Sequence, residues 1–331
     1  MSSTMHMSNP RRRILSAALA LAAAAAGCGG AGNSQPPLPL GENNATAVAA
    51  EALVTLGQNF SVRLPSGVTG AAAALRALGP GMVQRLTAAA TGPQGADGTM
   101  TVPCELGGTE TIAIAGATAT LTFDHCATDA STTLNGTYRF TGQPSSTSQS
   151  TLSVSFNLTI TQGALSFAES GGYTVVIETA QSPSDSTDEE VSADSISISL
   201  SIGGKPRDQV TLSSVDIAIS RQLTSAGQQV EHFAYDIDSS WLKGHVSVMT
   251  TQDLKQVFDL IMPHQFPFAG QILISGANHT RLQITILGDE TFTPPAGQGQ
   301  IEIQVDPGTG SFGAPIWTSW SALSGMITTG A

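Results

Sequence analysis

From Met100 onward, apolar and polar residues alternate with a period of two. Thr151–Thr161, TLSVSFNLTIT, sets Leu152, Val154, Phe156, Leu158 and Ile160 against an unbroken row of Ser, Asn and Thr. Ser195–Ile202 (SISISLSI), Arg281–Ile286 (RLQITI) and Gln300–Asp306 (QIEIQVD) repeat the pattern. Successive side chains on a strand point to opposite faces, so each segment has one apolar and one polar face. Strict alternation predicts antiparallel strands with one face wet, because buried parallel strands read as continuous apolar runs. Turn-like spacers at 142–150, 169–172, 183–190, 203–208 and 224–229 connect neighbouring strands into a meander. Val210–Ser220 changes phase at Ser213-Ser214, which predicts a bulge.

Two segments have a helical period instead. Residues 46–90 are Ala-rich, with Thr46 placed as an N-cap, Glu51 in the body, and Leu75, Leu78, Met82 and Leu86 at helical spacings. Thr251–Met262 puts Leu254, Val257, Phe258 and Ile261 on one face ahead of Pro263, which predicts a short helix. LNGTYRF, LKGHVSV and FAGQILI each place a glycine (Gly136, Gly244, Gly270) on the apolar side of a strand. Glycine there permits a bend or the close approach of another backbone. The expected fold class is all-β: a large antiparallel meander, a curved sheet or half-barrel, with a short Ala-rich helical N-terminal lead.

The first residues belong to neither pattern. Arg11, Arg12 and Arg13 precede an apolar run, Ile14–Ala26, of 13 residues. A bilayer-spanning helix needs roughly 20, whereas a basic cluster, a short apolar region and small residues describe a secretory signal peptide. Ala25-Ala26-Gly27-Cys28 resembles the lipobox of bacterial lipoproteins. That resemblance implies cleavage before Cys28, diacylglycerol on its sulfur and palmitate or a similar acyl group on its nitrogen; two or more chains anchor stably. Gly29 at the next position implies the outer membrane. The alternative is ordinary cleavage after Ala24–Ala26, leaving Cys28 a free thiol. The expected divisions are a lipoprotein signal peptide (1–27), a flexible tether (28–44), a helical lead (45–98) and an antiparallel β domain (99–331).

Cys104 and Cys126 flank two alternating stretches, Thr109–Ala115 and Thr118–Phe123, around Gly116-Ala117. Gly first is what a type II′ hairpin turn requires. Folding about that turn brings the cysteines together, and in an exported chain such a pair reads as a disulfide. His125 beside Cys126 has no companion ligands in the sequence. The motif VPCELGGTETI, then TLTFDHC, then TLNGTYRF resembles a group of uncharacterised bacterial cell-envelope lipoproteins carrying Cys-x-x-Gly-Gly-Thr, Thr-Phe-x-x-Cys and Asn-Gly-Thr in that order. FPFAGQILISGANHTRLQITI onward resembles the closing hairpins of the same group. The resemblance implies an all-β envelope protein with no established activity. Where relatives of this pattern carry an Asp-x-Asp-Gly-Asp-Gly turn, this chain has Asp306-Pro307-Gly308-Thr309-Gly310-Ser311. A calcium loop needs several carboxylates, so a tight glycine turn is expected instead.

Charge narrows the partners. The whole chain has 13 basic and 25 acidic residues, a net charge of −12, and removal of residues 1–27 takes away three arginines and no acid. A uniformly acidic chain is repelled by nucleic acid and by anionic lipid surfaces. No nucleophile elbow, phosphate-binding glycine loop or zinc motif is present. His232, Asp236 and Asp238 share one strand face and could do acid–base work, but lie opposite Phe233, Tyr235 and Ile237 and read as a solvated face. Asp185, Asp188, Glu189 and Glu190 read as a charged loop, and Trp317 and Trp320 as packing on the sheet. No catalytic residue, cofactor or metal site is read. The expected function is that of a membrane-anchored envelope lipoprotein, structural or binding and not an enzyme. The alternative is a carrier of a hydrophobic ligand, a lipid, on the apolar face of a curved sheet.

Overall fold

The computed structural model describes residues 35–56, 98–104, 106–127, 130–143, 149–179, 186–222, 227–258, 266–289 and 291–329. Among these, fourteen strands form one sheet in chain order, each antiparallel to its neighbours. The first seven are β1 (Gly98–Pro103), β2 (Thr109–Ala115), β3 (Thr118–Ala127), β4 (Thr132–Gln143), β5 (Gln149–Gln162), β6 (Leu165–Thr179) and β7 (Ser186–Ile202). Then come β8 (Lys205–Gln222), β9 (Gly227–Ser239), β10 (Gly244–Phe258), β11 (Ala269–Ser275), β12 (Arg281–Ile286), β13 (Ile301–Asp306) and β14 (Ile316–Thr318). β1 and β14 do not pair with each other, so the meander is open.

The alternation predicts the faces well. On β5, Val154, Leu158 and Ile160 are buried while Ser155 and Asn157 face solvent. Fully buried isoleucines such as Ile272, Ile274 and Ile284 contribute about 1.5–3 kcal/mol each. Ala115 pairs with Thr118 across Gly116-Ala117, and Gly116 has φ 55°, as the predicted turn requires. The predicted bulge is present: the β8–β9 register slips between Ser213 and Asp216, with Ser214 at φ 54°.

Gly136 and Gly270 show why glycine recurs on the apolar side. Both lie at positive φ, 123° and 137°. A Cβ on Gly136 would stand 2.1 Å from the Asn157 carbonyl oxygen, and one on Gly270 2.9 Å from that of Asp253. The ladder slips beside each of them. Such bulges bend strands and increase their twist.

Two helices cover part of the apolar face. α1 (Ala45–Leu56) buries Ala45, Val48, Ala49 and Ala52 in one core with Ile272, Ile284, Ile303 and Leu323, the last from α2 (Trp320–Thr329). The tyrosine hydroxyl of Tyr235 donates to the Ala52 carbonyl at 3.0 Å. A second core joins Leu121, Phe123, Tyr138, Phe140, Leu158, Ile160 and Phe167 on β3–β6.

Several expectations need correction. Thr251–Met262 is not a helix: residues up to Phe258 belong to β10, and 259–262 lie outside the described residues. β9 and β11 flank this segment and supply ladder partners that outweigh its helical spacing. The β9–β10 ladder is interrupted between Val246 and Leu254, and there the Thr250 hydroxyl accepts the Phe233 amide at 3.1 Å. Residues 169–172 are not a spacer but the interior of β6, and Ser186–Glu190 open β7 rather than forming a loop. Thr46 lies one residue inside α1, whose first turn follows Asn44. Gly98 begins β1, and residues 57–97 of the expected lead, with Leu75, Leu78, Met82 and Leu86, lie outside the described residues.

Residues 35–44 of the expected tether are seated on the domain. β11 ends at Ser275, opposite Ser247, so the outer side of residues 244–246 is open to another strand. Pro37 bridges to His245 there in parallel, with Leu38 N to His245 O at 3.0 Å and His245 N to Pro36 O at 3.1 Å. The Leu38 carbonyl then accepts the Ala277 amide, and Leu40 N donates to Oγ1 of Thr280, which caps the short 3-10 turn Ala277–His279. Unpaired strand ends need partners, and this strap supplies them.

Candidate functional site

Because β6 runs unbroken through residues 165–179, its alternation carries a carboxylate onto the apolar side. Phe167 and Glu169 are both buried, while Ala168 and Ser170, on the other face, are exposed. Glu169 is 9% exposed and stands opposite Leu158 of β5 and Ile198 of β7. Burial pushes its carboxyl up to about 7, so both protonation states are populated near neutrality.

Aromatic side chains surround this carboxyl. Tyr138 on β4 pairs directly with Phe156 on β5, their ring centroids 5.7 Å apart, and Phe156 lies 6.0 Å from Tyr173 on β6. The Tyr138 phenol is pushed up by burial first, then by the charges of Glu169 and Tyr173. Leu134, Leu152, Phe156, Leu165 and Tyr173 are only partly buried against this second core. The result is a largely apolar, aromatic surface that carries the Glu169 carboxyl. When protonated, Glu169 can donate a hydrogen bond; when ionised it can accept one or pair with a cation.

Of the sequence-predicted residues, Cys104 and Cys126 are brought together as expected, while the described ones among the rest do not converge on one site. Cys28 lies outside the described residues. Cys104 and Cys126 are disulfide-bonded, with Cα atoms 5.4 Å apart, closing the β1–β2 turn against β3. His125, at φ 48°, is exposed beside Asp124, with Nδ1 2.7 Å from Oδ1. His232 meets the Thr250 hydroxyl at 2.8 Å, Asp236 accepts from Ser247 Oγ at 2.5 Å, and Asp238 accepts from Gln35 N at 2.6 Å. Each therefore has its own partner on the polar face. Asp188 and Glu190 are exposed on β7, Glu189 lies between them, and Asp185 is outside the described residues. Trp320 is buried, stacks on Phe266 at 4.5 Å and donates its indole N–H to Gly288 O, whereas Trp317 is a half-buried residue of β14.

Asp306 is the hub of the glycine turn. Its Oδ1 accepts amides from Gly308, Thr309 and Gly310 at 2.8–3.0 Å, and its Oδ2 accepts from Arg281. Asp208 fills a similar role at the β9–β10 turn, accepting from Ser239, Ser240 and the Trp241 amide. Among the described residues no group of three His, Cys, Asp or Glu side chains could hold a metal ion.

Glu169 went unread because a Glu-Ser-Gly-Gly run resembles a turn. The available signal was parity: Leu165, Phe167, Glu169 and Gly171 continue one alternation without a break. Comparison of the chain with protein-family models, with curated proteins and with solved structures finds no match.

Proposed function

We propose that this chain is an envelope lipoprotein, anchored to the bacterial outer membrane through acyl groups on Cys28, with a non-catalytic binding role. Its ligand is an amphiphile whose apolar part lies on the β4–β6 face and whose polar head meets Glu169. The observation that carries this reading is Glu169 itself: a buried carboxyl on the apolar side of the sheet, beside Tyr138, Phe156 and Tyr173. Burial disfavours the charged form of such a group, and a ligand head group that hydrogen-bonds to it would offset part of that cost. The resemblance to envelope lipoproteins and the Ala-Ala-Gly-Cys sequence support the anchor.

The test is solvent extraction of the full chain purified from its membrane; thioether-linked glyceride stays on the protein, so only non-covalent ligand is released. One amphiphile per chain is expected, reduced about tenfold or more in Glu169→Leu and kept in Glu169→Gln. No extractable amphiphile in the wild type, or equal amounts in Glu169→Leu, would overturn the ligand site.

A further inference from the structure

Parity carries a second carboxyl to the apolar side. On β2, Glu110 shares its face with Ile112 and Ile114, and the ladder sets it between Val102 of β1 and Phe123 of β3. Followed strand by strand, one register row runs Glu110, Phe123, Gly136, Leu158, Glu169 across β2–β6. The two carboxyls therefore stand at opposite ends of this row. Four strand intervals of about 4.8 Å put them roughly 19 Å apart along the sheet, too far for one cation to touch both.

What lies between them is apolar. Phe123 and Leu158 are buried, and Gly136 contributes no side chain between them. The neighbouring row adds Leu121, Tyr138 and Phe156, the two rings 5.7 Å apart, and reaches Gly171, a second position with no side chain. Glu110 is half-buried, and burial raises its carboxyl as it raises that of Glu169. A positive charge beside such a group favours its ionised form, and aromatic ring faces attract cations as well. The net charge of −12 adds to that attraction.

We infer that the ligand of this face is two-headed: an extended apolar chain with an ammonium group at each end, one held by Glu169 and the other by Glu110. This rests on the Glu169 site proposed above and names its ligand class, a long-chain diamine. A ligand with one head engages a single carboxyl and leaves the other end of the row unused. A chain that spans the row makes its second contact within the same complex, where the second head has an effective concentration on the order of millimolar. Selectivity then follows length. A diamine too short for the row gains nothing over a monoamine, whereas one that matches it gains the second head.

The test titrates the full chain by calorimetry with four probes: terminal diaminododecane, terminal diaminooctane, dodecylamine and terminal dodecanediol. Diaminododecane is expected to bind one per chain, about tenfold or more tighter than each of the other three. Glu110→Leu should bring diaminododecane down to the level of dodecylamine. It should leave dodecylamine itself unchanged, which also reports an intact Glu169 site. Equal affinities for diaminododecane and any of the other three would overturn the two-headed cation, as would a diaminododecane affinity that Glu110→Leu does not move. Dodecylamine binding that survives Glu169→Leu undiminished would instead overturn the Glu169 site, and this inference with it.

Discussion

Arg281 and Asp306 face each other across the β12–β13 ladder, with Nη2 donating to Oδ2 over 2.6 Å. With the turn amides on the other oxygen, this holds the Asp306 carboxyl down at about 2; the Arg281 bond is the largest cause and outweighs the opposing effect of burial.

A depressed carboxyl contributes stability above its unfolded value near 4 and loses it as pH falls toward 2. Asp306→Asn is expected to lower the thermal midpoint at neutral pH by roughly 5 °C, with the difference from wild type closing in acid. Because both oxygens are engaged, added calcium should leave the wild-type midpoint unchanged. Calorimetry checks both, and a calcium-dependent rise would contradict the occupied turn.

Glu169 titrates in the opposite sense. Its raised value means the folded chain holds a proton that the unfolded chain releases, from about pH 4.5 to about 7. Stability should therefore rise as pH falls through that window, by on the order of 3 kcal/mol. Urea titrations at successive pH values should show this slope in the wild type and its loss in Glu169→Gln. An identical slope in both chains would mean that Glu169 is not the group responsible.

Two glycine substitutions should separate crowding from backbone conformation. Gly136→Ala forces a Cβ to 2.1 Å from a carbonyl oxygen, whereas a Cβ on Gly116, also at positive φ, meets open space. A cost of about 3 kcal/mol or more is expected for Gly136→Ala and about 1 kcal/mol for Gly116→Ala. Equilibrium unfolding gives both numbers, and equal costs would contradict the close approach of β5.

The Cys104–Cys126 bridge closes a loop of 22 residues in separation, which in the chain-entropy model stabilises by about 3 kcal/mol. β1 is an edge strand whose residues are almost all exposed. Reduction should therefore speed amide exchange first in residues 98–115, while β11–β13 stay protected. Uniform loss of protection across the sheet would be the contrary result.

The fold was legible wherever one face is buried and the other wet. Leu152 to Ile160 on β5 could be assigned to faces by parity, and Gly116-Ala117 by turn chemistry. The reading failed where a strand departs from that rule. Leu254, Val257 and Phe258 mimic a helix because β10 is irregular, and only its neighbours β9 and β11 hold it extended. Glu169 to Gly172 mimic a turn because a polar residue and two glycines fall inside one long strand. The seating of residues 35–40 could not be read locally, since it depends on where β11 stops, some 235 residues later.

Attachment at Cys28 underlies the proposed role, and fatty-acid labelling tests it most directly. Cells expressing the chain are fed tagged palmitate and their membranes fractionated. Wild type is expected to carry the tag and sediment with the outer membrane, while Cys28→Ala carries none and is released. Equal tagging of the two chains, or a wild-type chain whose Cys28 is an unmodified thiol, would contradict the anchor.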